Sequence, residues 1–157
     1  MTTDRIEKTI VIGAPRRAVW RAITDAEEFG TWFGARFTGG FTPGKTAKGR
    51  ITIPKYDHLA IAIDIERIEP ERLFAYRWHP YAVDPAVDYS NEPTTLVEFT
   101  LEDVDGGART RLTIVESGFD RIPADRRDIA FRMNEGGWSQ QIKNIDRHVT
   151  SRSTAAQ

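Results

Sequence analysis

Cysteine is absent from the 157 residues of the chain. Its absence excludes disulfide bonds, thiol nucleophiles, zinc–thiolate sites and cysteine-ligated iron–sulfur clusters. An excess of charge of either sign is also lacking, because 22 basic residues stand against 23 acidic ones and the net charge is -1. No overall electrostatic field therefore draws the chain to nucleic acid or to an anionic membrane. A small neutral or weakly charged partner fits this composition better.

Long apolar segments are missing as well. The longest wholly apolar run is Leu59 to Ile63, far short of the roughly 20 residues that span a bilayer. The N-terminus leads at Arg5 into an alternating segment, without the apolar stretch of a signal peptide. We therefore expect a soluble cytoplasmic protein. Its length predicts one domain over residues 1–150, followed by a flexible polar tail over 151–157.

Motifs that bind metals or cofactors are also lacking. The histidines His58, His79 and His148 are scattered, and none has the close His–His or His–Glu spacing of a metal site. No Gly-x-Ser-x-Gly elbow surrounds a serine, and no glycine-rich phosphate loop is present. The sequence therefore predicts no metal, no cofactor and no catalytic constellation.

Apolar alternation marks the first element of the chain. Ile6, Ile10 and Ile12 fall on one face of residues 5–12, which predicts a half-buried strand. Pro15 is suited to the first turn of a helix, so a short helix is expected over 15–24. Asp25 followed by Glu28 resembles a helix cap with its reciprocal acid, which predicts a second short helix.

Further alternating segments, separated by glycine and proline turns, predict the rest of a sheet. They cover residues 35–41, 45–53, 59–69, 72–79, 94–102 and 110–117. The Asp105-Gly106-Gly107 turn joins the last two as a hairpin. Because strands and helices do not alternate along the chain, the expected fold class is α+β with an antiparallel sheet.

A long helix is predicted over residues 123–150. Its apolar residues recur at helical spacing: Met133, Trp138, Ile142, Ile145 and Val149. Gly136 and Gly137 interrupt this helix at a cost of about 1 kcal/mol each relative to alanine. Close approach of the helix to the sheet is the favoured explanation, and space left for a ligand or a bend is the alternative.

Several local motifs resemble those of a known superfamily. They are Ala14-Pro15 with Val19-Trp20 and Thr24, Trp32-Phe33, the stretch 65–73 ending at Trp78, the stretch 107–119, and Gly136-Gly137-Trp138. Together and in order, they resemble the START-like helix-grip (SRPBCC) superfamily, specifically the branch of the activator of the heat-shock-protein-90 ATPase. The resemblance covers roughly residues 5–149. It implies a curved antiparallel sheet of about six to seven strands, two short helices after the first strand, and a long C-terminal helix across the concave face.

The resemblance also implies an apolar cavity between sheet and helix. Phe74, Tyr76 and Trp78 leave the same side of one predicted strand, which makes that side interior. The candidate lining residues are Trp32, Phe33, Phe41, Ile63, Phe74, Tyr76, Trp78, Phe99, Met133, Gly137 and Trp138. The competing interpretation of each ring is core packing. The polar groups expected nearest to the cavity are Tyr76, Arg77, His79, Glu116 and Asn134.

Three functions are compatible with these patterns. The favoured one is a non-catalytic domain that binds a hydrophobic or aromatic small molecule, whose identity and oligomeric context the sequence leaves open. The second is a cyclase- or hydrolase-like enzyme for a hydrophobic or aromatic substrate, helped by Tyr76, His79 or Glu116. The third is a co-chaperone-like interaction module, supported by the resemblance alone. The segment 79–93 is either a lid over the cavity or a simple connection.

Overall fold

A seven-stranded antiparallel sheet and one long helix dominate the structure, a computed structural model that describes residues 4–155. The strands are β1 Arg5–Ile12, β2 Ala35–Phe37, β3 Thr46–Ile51, β4 Ala60–Glu69, β5 Leu73–Trp78, β6 Thr95–Val104 and β7 Arg109–Ser117. The helices are α1 Arg16–Thr24, α2 Ala26–Phe33 and α3 Ala124–Ala155. The predicted α+β helix-grip fold is confirmed. Within the described range, no helix is both long and apolar enough to cross a membrane.

The sheet order is β1-β7-β6-β5-β4-β3-β2, with every neighbouring pair antiparallel. One cross-strand row runs through Ile6, Glu116, Val97, Tyr76 and Ile65. All five residues are buried. The register therefore places one carboxyl group and one phenol hydroxyl in the apolar interior. A bulge immediately after Ile65 shifts the register between β4 and β5, and such bulges bend the strand that carries them.

The two short helices form as the sequence predicts at their N-termini. Pro15 precedes α1, and the Asp25 carboxylate accepts hydrogen bonds from the backbone N–H groups of Glu27 and Glu28 at 3.0 Å. The reciprocal half of the predicted cap is wrong. The Glu28 carboxylate instead contacts Arg21 at 2.8 Å and His148 at 3.0 Å, so it joins α2 to α1 and α3.

The long helix α3 crosses the inner face of the sheet. Its buried residues are Ala130, Trp138, Ile142, Ile145 and Val149. The placement of Met133 on this face is wrong, since its side chain is 48% exposed. Five residues turn a helix by about 500°, so position 133 lies about 140° around the axis from Trp138. The helix also continues through Ala155, so 151–155 are helical where a tail was predicted, and 156–157 lie outside the described residues.

The glycines of α3 are not explained by close packing. A Cβ atom built on Gly136 or Gly137 meets nothing within 4 Å, so the predicted close approach of helix and sheet is wrong. Gly30 in α2 is the opposite case, because a Cβ there lies 2.2 Å from the backbone oxygen of Ala35. The chain needs glycine at 30 to fold back from α2 into β2, whereas the α3 pair needs another explanation.

The same substitution is therefore expected to have opposite effects in the two helices. Gly136→Ala should raise the free energy of unfolding by about 0.8–1 kcal/mol, because alanine restricts the unfolded chain and fits without contact. Gly30→Ala should lower it by about 2 kcal/mol, because the new methyl group overlaps backbone. Urea denaturation of both variants tests this. Equal effects of the same sign would contradict the packing described here.

Candidate functional site

Aromatic rings fill most of the space between the sheet and the helices. Phe29 lies at their centre, with ring centroids 4.4–6.4 Å away in Trp32, Phe33, Phe37, Phe41, Tyr76 and Phe99. Five of the predicted lining residues are buried in this core: Trp32, Ile63, Phe74, Tyr76 and Phe99. Phe41 stacks on Phe74 at 5.6 Å. These six residues therefore pack the interior and leave little empty space around them.

A cavity of about 120 Å³, here called the inner cavity, lies where α2, β5 and α3 meet, and it is open to solvent beside the exposed Gly137. Its lining consists of Phe33, Trp78, Asn134, Gly137, Trp138 and Gln141. Four of these residues were predicted as cavity-lining from the sequence, and Asn134 was predicted nearby. Because Gly137 has no side chain, the helix side of this cavity is open, which fits the alternative explanation for this glycine but not for Gly136.

An apolar groove of about 390 Å³ adjoins the inner cavity through Phe33, Trp78 and Asn134, which line both. Its other walls come from the end of β3, the start of β4 and the connection between β5 and β6. They are Ile51, Leu59, Ala60, Ile61, Ala62, His79, Tyr81, Ala82, Val83 and Tyr89. A larger hollow of about 750 Å³ lies between α2 and β2, but it is polar and separate from the aromatic interior.

Glu116 is a fully buried carboxylate that accepts hydrogen bonds from four side chains. Trp138 Nε1 donates to Oε1 at 2.8 Å and Trp78 Nε1 donates to Oε2 at 2.8 Å. Thr95 Oγ1 donates to Oε2 at 2.5 Å. The Asn134 amide donates to both oxygens, at 2.9 and 3.2 Å. These contacts join β5, β6, β7 and α3 at one point.

The Tyr76 hydroxyl is buried beside this network without joining it. Its oxygen has no hydrogen-bond partner among the residues that the structure describes. Burial raises the pKa of Tyr76 well above its usual value, and the negative charge of Glu116 raises it further. The hydroxyl therefore stays protonated throughout the neutral and mildly alkaline range.

The remaining polar candidates lie outside the network. His79 lines the groove, with Nε2 3.1 Å from the backbone oxygen of Glu92. Arg77 pairs with Glu66 at 3.5 Å and does not belong to the cavity lining. Because a carboxylate has about four acceptor sites, Glu116 has little capacity left to accept a proton from a substrate. In residues 4–152, no cluster of three or more histidine, aspartate or glutamate side chains is arranged to hold a metal ion.

Arg126, at the start of α3, fastens the connection that covers the groove. Its guanidinium donates to the backbone oxygens of Pro80 and Tyr81 at 2.8 and 3.0 Å. It also donates through two nitrogens to Glu92 Oε1, at 3.1 and 2.8 Å, and its Cζ atom lies 4.8 Å from the centre of the Tyr89 ring. The groove wall formed by this connection is therefore held in place from α3.

Sequence reasoning missed Gln141 in the inner cavity, most of the groove lining, and two residues that hold the site together, Thr95 and Arg126. Thr95 lies two positions before Val97 on the inward face of β6, so the alternation of that strand was the available signal. Arg126 sits within a mixed run of arginine and aspartate that predicts a solvated face, yet its side chain is only 16% exposed. No signal in that run separates it from its exposed neighbours.

Comparison with known proteins places the chain in a family. The sequence model of the activator of Hsp90 ATPase homolog 1-like proteins matches residues 13–150. The chain belongs to this family. Proteins of this fold commonly bind hydrophobic ligands. No match was found among curated proteins.

Solved structures show the same fold at low sequence identity. Protein MLL2253 of Mesorhizobium loti is 22% identical, with a TM-score of 0.71 over 94% of this chain and 97% of that chain. A protein from Arthrobacter aurescens is 19% identical, with a TM-score of 0.74 over 95% and 87%. The Aha1 dimer of Colwellia psychrerythraea is 16% identical, with a TM-score of 0.68 over 95% and 96%. At these identities the likeness shows the fold alone.

The Glu116 network is expected to contribute strongly to stability. Glu116→Gln should lower the free energy of unfolding by about 3 kcal/mol, because an amide N–H group would face donors that need an acceptor. Glu102→Gln is the matched control, since the exposed Glu102 pairs with Arg111 on the surface, and it should cost less than about 1 kcal/mol. Urea denaturation at pH 7 measures both. Equal effects would show that the network does not stabilise the fold.

The unpaired hydroxyl of Tyr76 predicts a pH-dependent effect. At pH 7, Tyr76→Phe should raise the free energy of unfolding by about 1 kcal/mol, because it removes a buried polar group without a partner. The folded-state pKa is raised, so the unfolded chain releases this proton first, and the wild type loses stability as the pH rises above about 10. The variant should lack that contribution.

Urea denaturation of the wild type and Tyr76→Phe at pH 7 and at alkaline pH separates the two effects. The difference in stability between the proteins should widen in favour of the variant as the pH rises. A constant difference across this range would contradict the raised pKa, and a variant that is less stable at pH 7 would show that the hydroxyl has a partner.

Proposed function

We propose that this chain is a small-molecule binding domain, whose ligand lies in the apolar groove and extends into the inner cavity. The main support for the proposal is that the groove and the inner cavity are adjacent, since both are lined by Phe33, Trp78 and Asn134. The groove alone, at about 390 Å³, falls in the range of sites for small organic molecules, and the inner cavity adds about 120 Å³. The ligand is therefore a flat or elongated apolar molecule rather than a bulky lipid.

The walls of the groove support binding of a hydrophobic or aromatic body. Aliphatic residues of β3 and β4 form one side, and Tyr81, Val83 and Tyr89 form the other. Because Arg126 already fixes the second wall, little conformational entropy is lost when a ligand enters. His79 and Asn134 provide the few polar contacts that orient a ligand in such a site.

Binding without catalysis accounts for these contacts better than an enzymatic role. An acid–base enzyme needs a proton donor or acceptor within reach of the substrate. The oxygens of Glu116 are occupied by four side chains, and Tyr76 is enclosed by rings with its pKa raised. Of the three groups predicted to assist catalysis, His79 lines the groove, whereas Glu116 and Tyr76 line neither the groove nor the inner cavity.

The glycine pair of α3 provides a matched test of this proposal. Gly137 lines the inner cavity and Gly136 does not, and a side chain meets no obstacle within 4 Å at the Cβ position of either residue. Gly137→Leu should fill the cavity and weaken binding of a ligand by roughly tenfold or more, while Gly136→Leu should bind like the wild type. Both changes should stabilise the helix.

The neutral fluorescent dye N-phenyl-1-naphthylamine is a suitable ligand for this measurement, because its emission rises in apolar sites. We expect saturable binding to the wild type and to Gly136→Leu, and weak binding to Gly137→Leu. Two results would refute the proposal: a signal that does not saturate with any of the three proteins, or equal affinity of both leucine variants.

A further inference from the structure

Each donor group in the lining of the inner cavity already has an acceptor within the protein. The indole N–H groups of Trp78 and Trp138 donate to Glu116, and Gln141 Nε2 donates to the backbone oxygen of Phe33 at 3.0 Å. The Asn134 amide also donates to Glu116. Only the NH₂ end of an amide can donate to a carboxylate, so this contact fixes which end of Asn134 carries the oxygen.

The inner cavity therefore offers a free acceptor, whereas each of its donor groups already has an acceptor within the protein. Asn134 Oδ1 accepts none of the hydrogen bonds found within the described part of the chain. A carboxylate or a carbonyl group that entered this cavity would meet donors that are already engaged, and would lose hydrogen bonds to water. A ligand group that carries N–H bonds would instead find an acceptor.

A buried negative charge lies directly behind the cavity wall. The N–H groups of two indoles and an amide can only donate, and both Glu116 oxygens accept, so the pattern fits the ionised carboxylate. Within residues 4–152 no basic side chain forms an ion pair with it. An unpaired charge in the interior acts over a longer range than one in water. A cation in the cavity would lie one side chain away and offset this charge.

Three aromatic rings form the rest of the cavity wall. The Trp78 ring lies 6.0 Å from the ring of Phe33 and 5.8 Å from that of Trp138, centroid to centroid. Aromatic rings attract cations through their quadrupoles, most strongly when the site is desolvated. Donation of both indole N–H groups to a carboxylate polarises the rings further in the same sense.

We infer that the inner cavity binds the ammonium group of an amine whose apolar body lies in the groove. The inference rests on the proposed function and adds the chemical class of the ligand. The volume of the inner cavity, about 120 Å³, suits a primary or methylated ammonium group. The three aromatic rings, the buried carboxylate of Glu116 and Oδ1 of Asn134 all favour a positive charge in the inner cavity.

Three compounds with the same phenylethyl body test the charge preference: phenethylamine, 2-phenylethanol and 3-phenylpropanoate. Their affinities for the full chain are measured by NMR titration at pH 7, where the amine is cationic and the acid anionic. We expect the amine to bind roughly tenfold more tightly than the alcohol, and the acid to bind most weakly. An alcohol or acid that binds as tightly as the amine overturns the inference.

Two variants of aromatic residues test whether the preference for the amine arises in the inner cavity. Phe33→Leu removes one ring of the cavity wall but keeps an apolar side chain, and should reduce the amine-to-alcohol affinity ratio several-fold. Phe37→Leu is the control, because Phe37 is a similarly half-buried ring beside Phe29 that lines neither the groove nor the inner cavity. It should leave the ratio unchanged. A ratio that persists in Phe33→Leu overturns the placement of the cation in this cavity.

The measurements distinguish a failure of this inference from a failure of the proposed binding function. If the neutral dye binds and Gly137→Leu blocks it, while the amine shows no advantage over the alcohol, the inference is wrong and the binding function stands. If neither the dye nor any of the three phenylethyl compounds binds, both are wrong. Glu116→Gln, where it folds, should abolish the preference for the amine without abolishing binding of the alcohol.

Discussion

The buried carboxylate of Glu116 is the contact on which the arrangement of sheet and helix depends. A lone carboxylate in an apolar interior would be strongly destabilising, so its position is tolerable only because four side chains satisfy it. Those donors come from β5, β6 and α3. The position of α3 over the sheet is thereby fixed by directional bonds as well as by apolar packing, which on its own permits small shifts of a helix along a sheet.

The same hydrogen bonds shape the cavity. Because Trp78, Asn134 and Trp138 must reach Glu116, their remaining surfaces form one wall of the space between α2, β5 and α3. Elsewhere the interior is closed by the rings around Phe29. The cavity thus lies at the edge of the interior, where satisfying a buried charge takes precedence over filling space. Its polarity and its size have one structural cause.

The fold was predictable from the sequence to a much greater extent than the site. Strand β1 agrees with its prediction at both ends, because alternation of Ile6, Ile10 and Ile12 reports directly on a half-buried strand. The placement of Met133 is wrong because a spacing of five residues puts it about 140° around the helix from Trp138. Single hydrogen bonds of the Glu116 network join residues up to 38 positions apart. Periodicity identifies which side chains face inward, but it carries no information on which of them form hydrogen bonds with each other.

The glycine pair of α3 is the feature that packing explains least. Two glycines within a helix lower its stability by about 2 kcal/mol relative to alanine. No neighbouring atom would clash with a side chain at either position. Where residues of low helix propensity occupy a helix without a packing reason, a functional requirement is the expected explanation. The cost of Gly136, which lines neither the groove nor the inner cavity, has no structural explanation. Gly137 opens on the inner cavity, beside the same Trp138 that binds Glu116. The open space and the buried charge therefore coincide at one turn of the helix, and the proposed ligand accounts for the cost of Gly137.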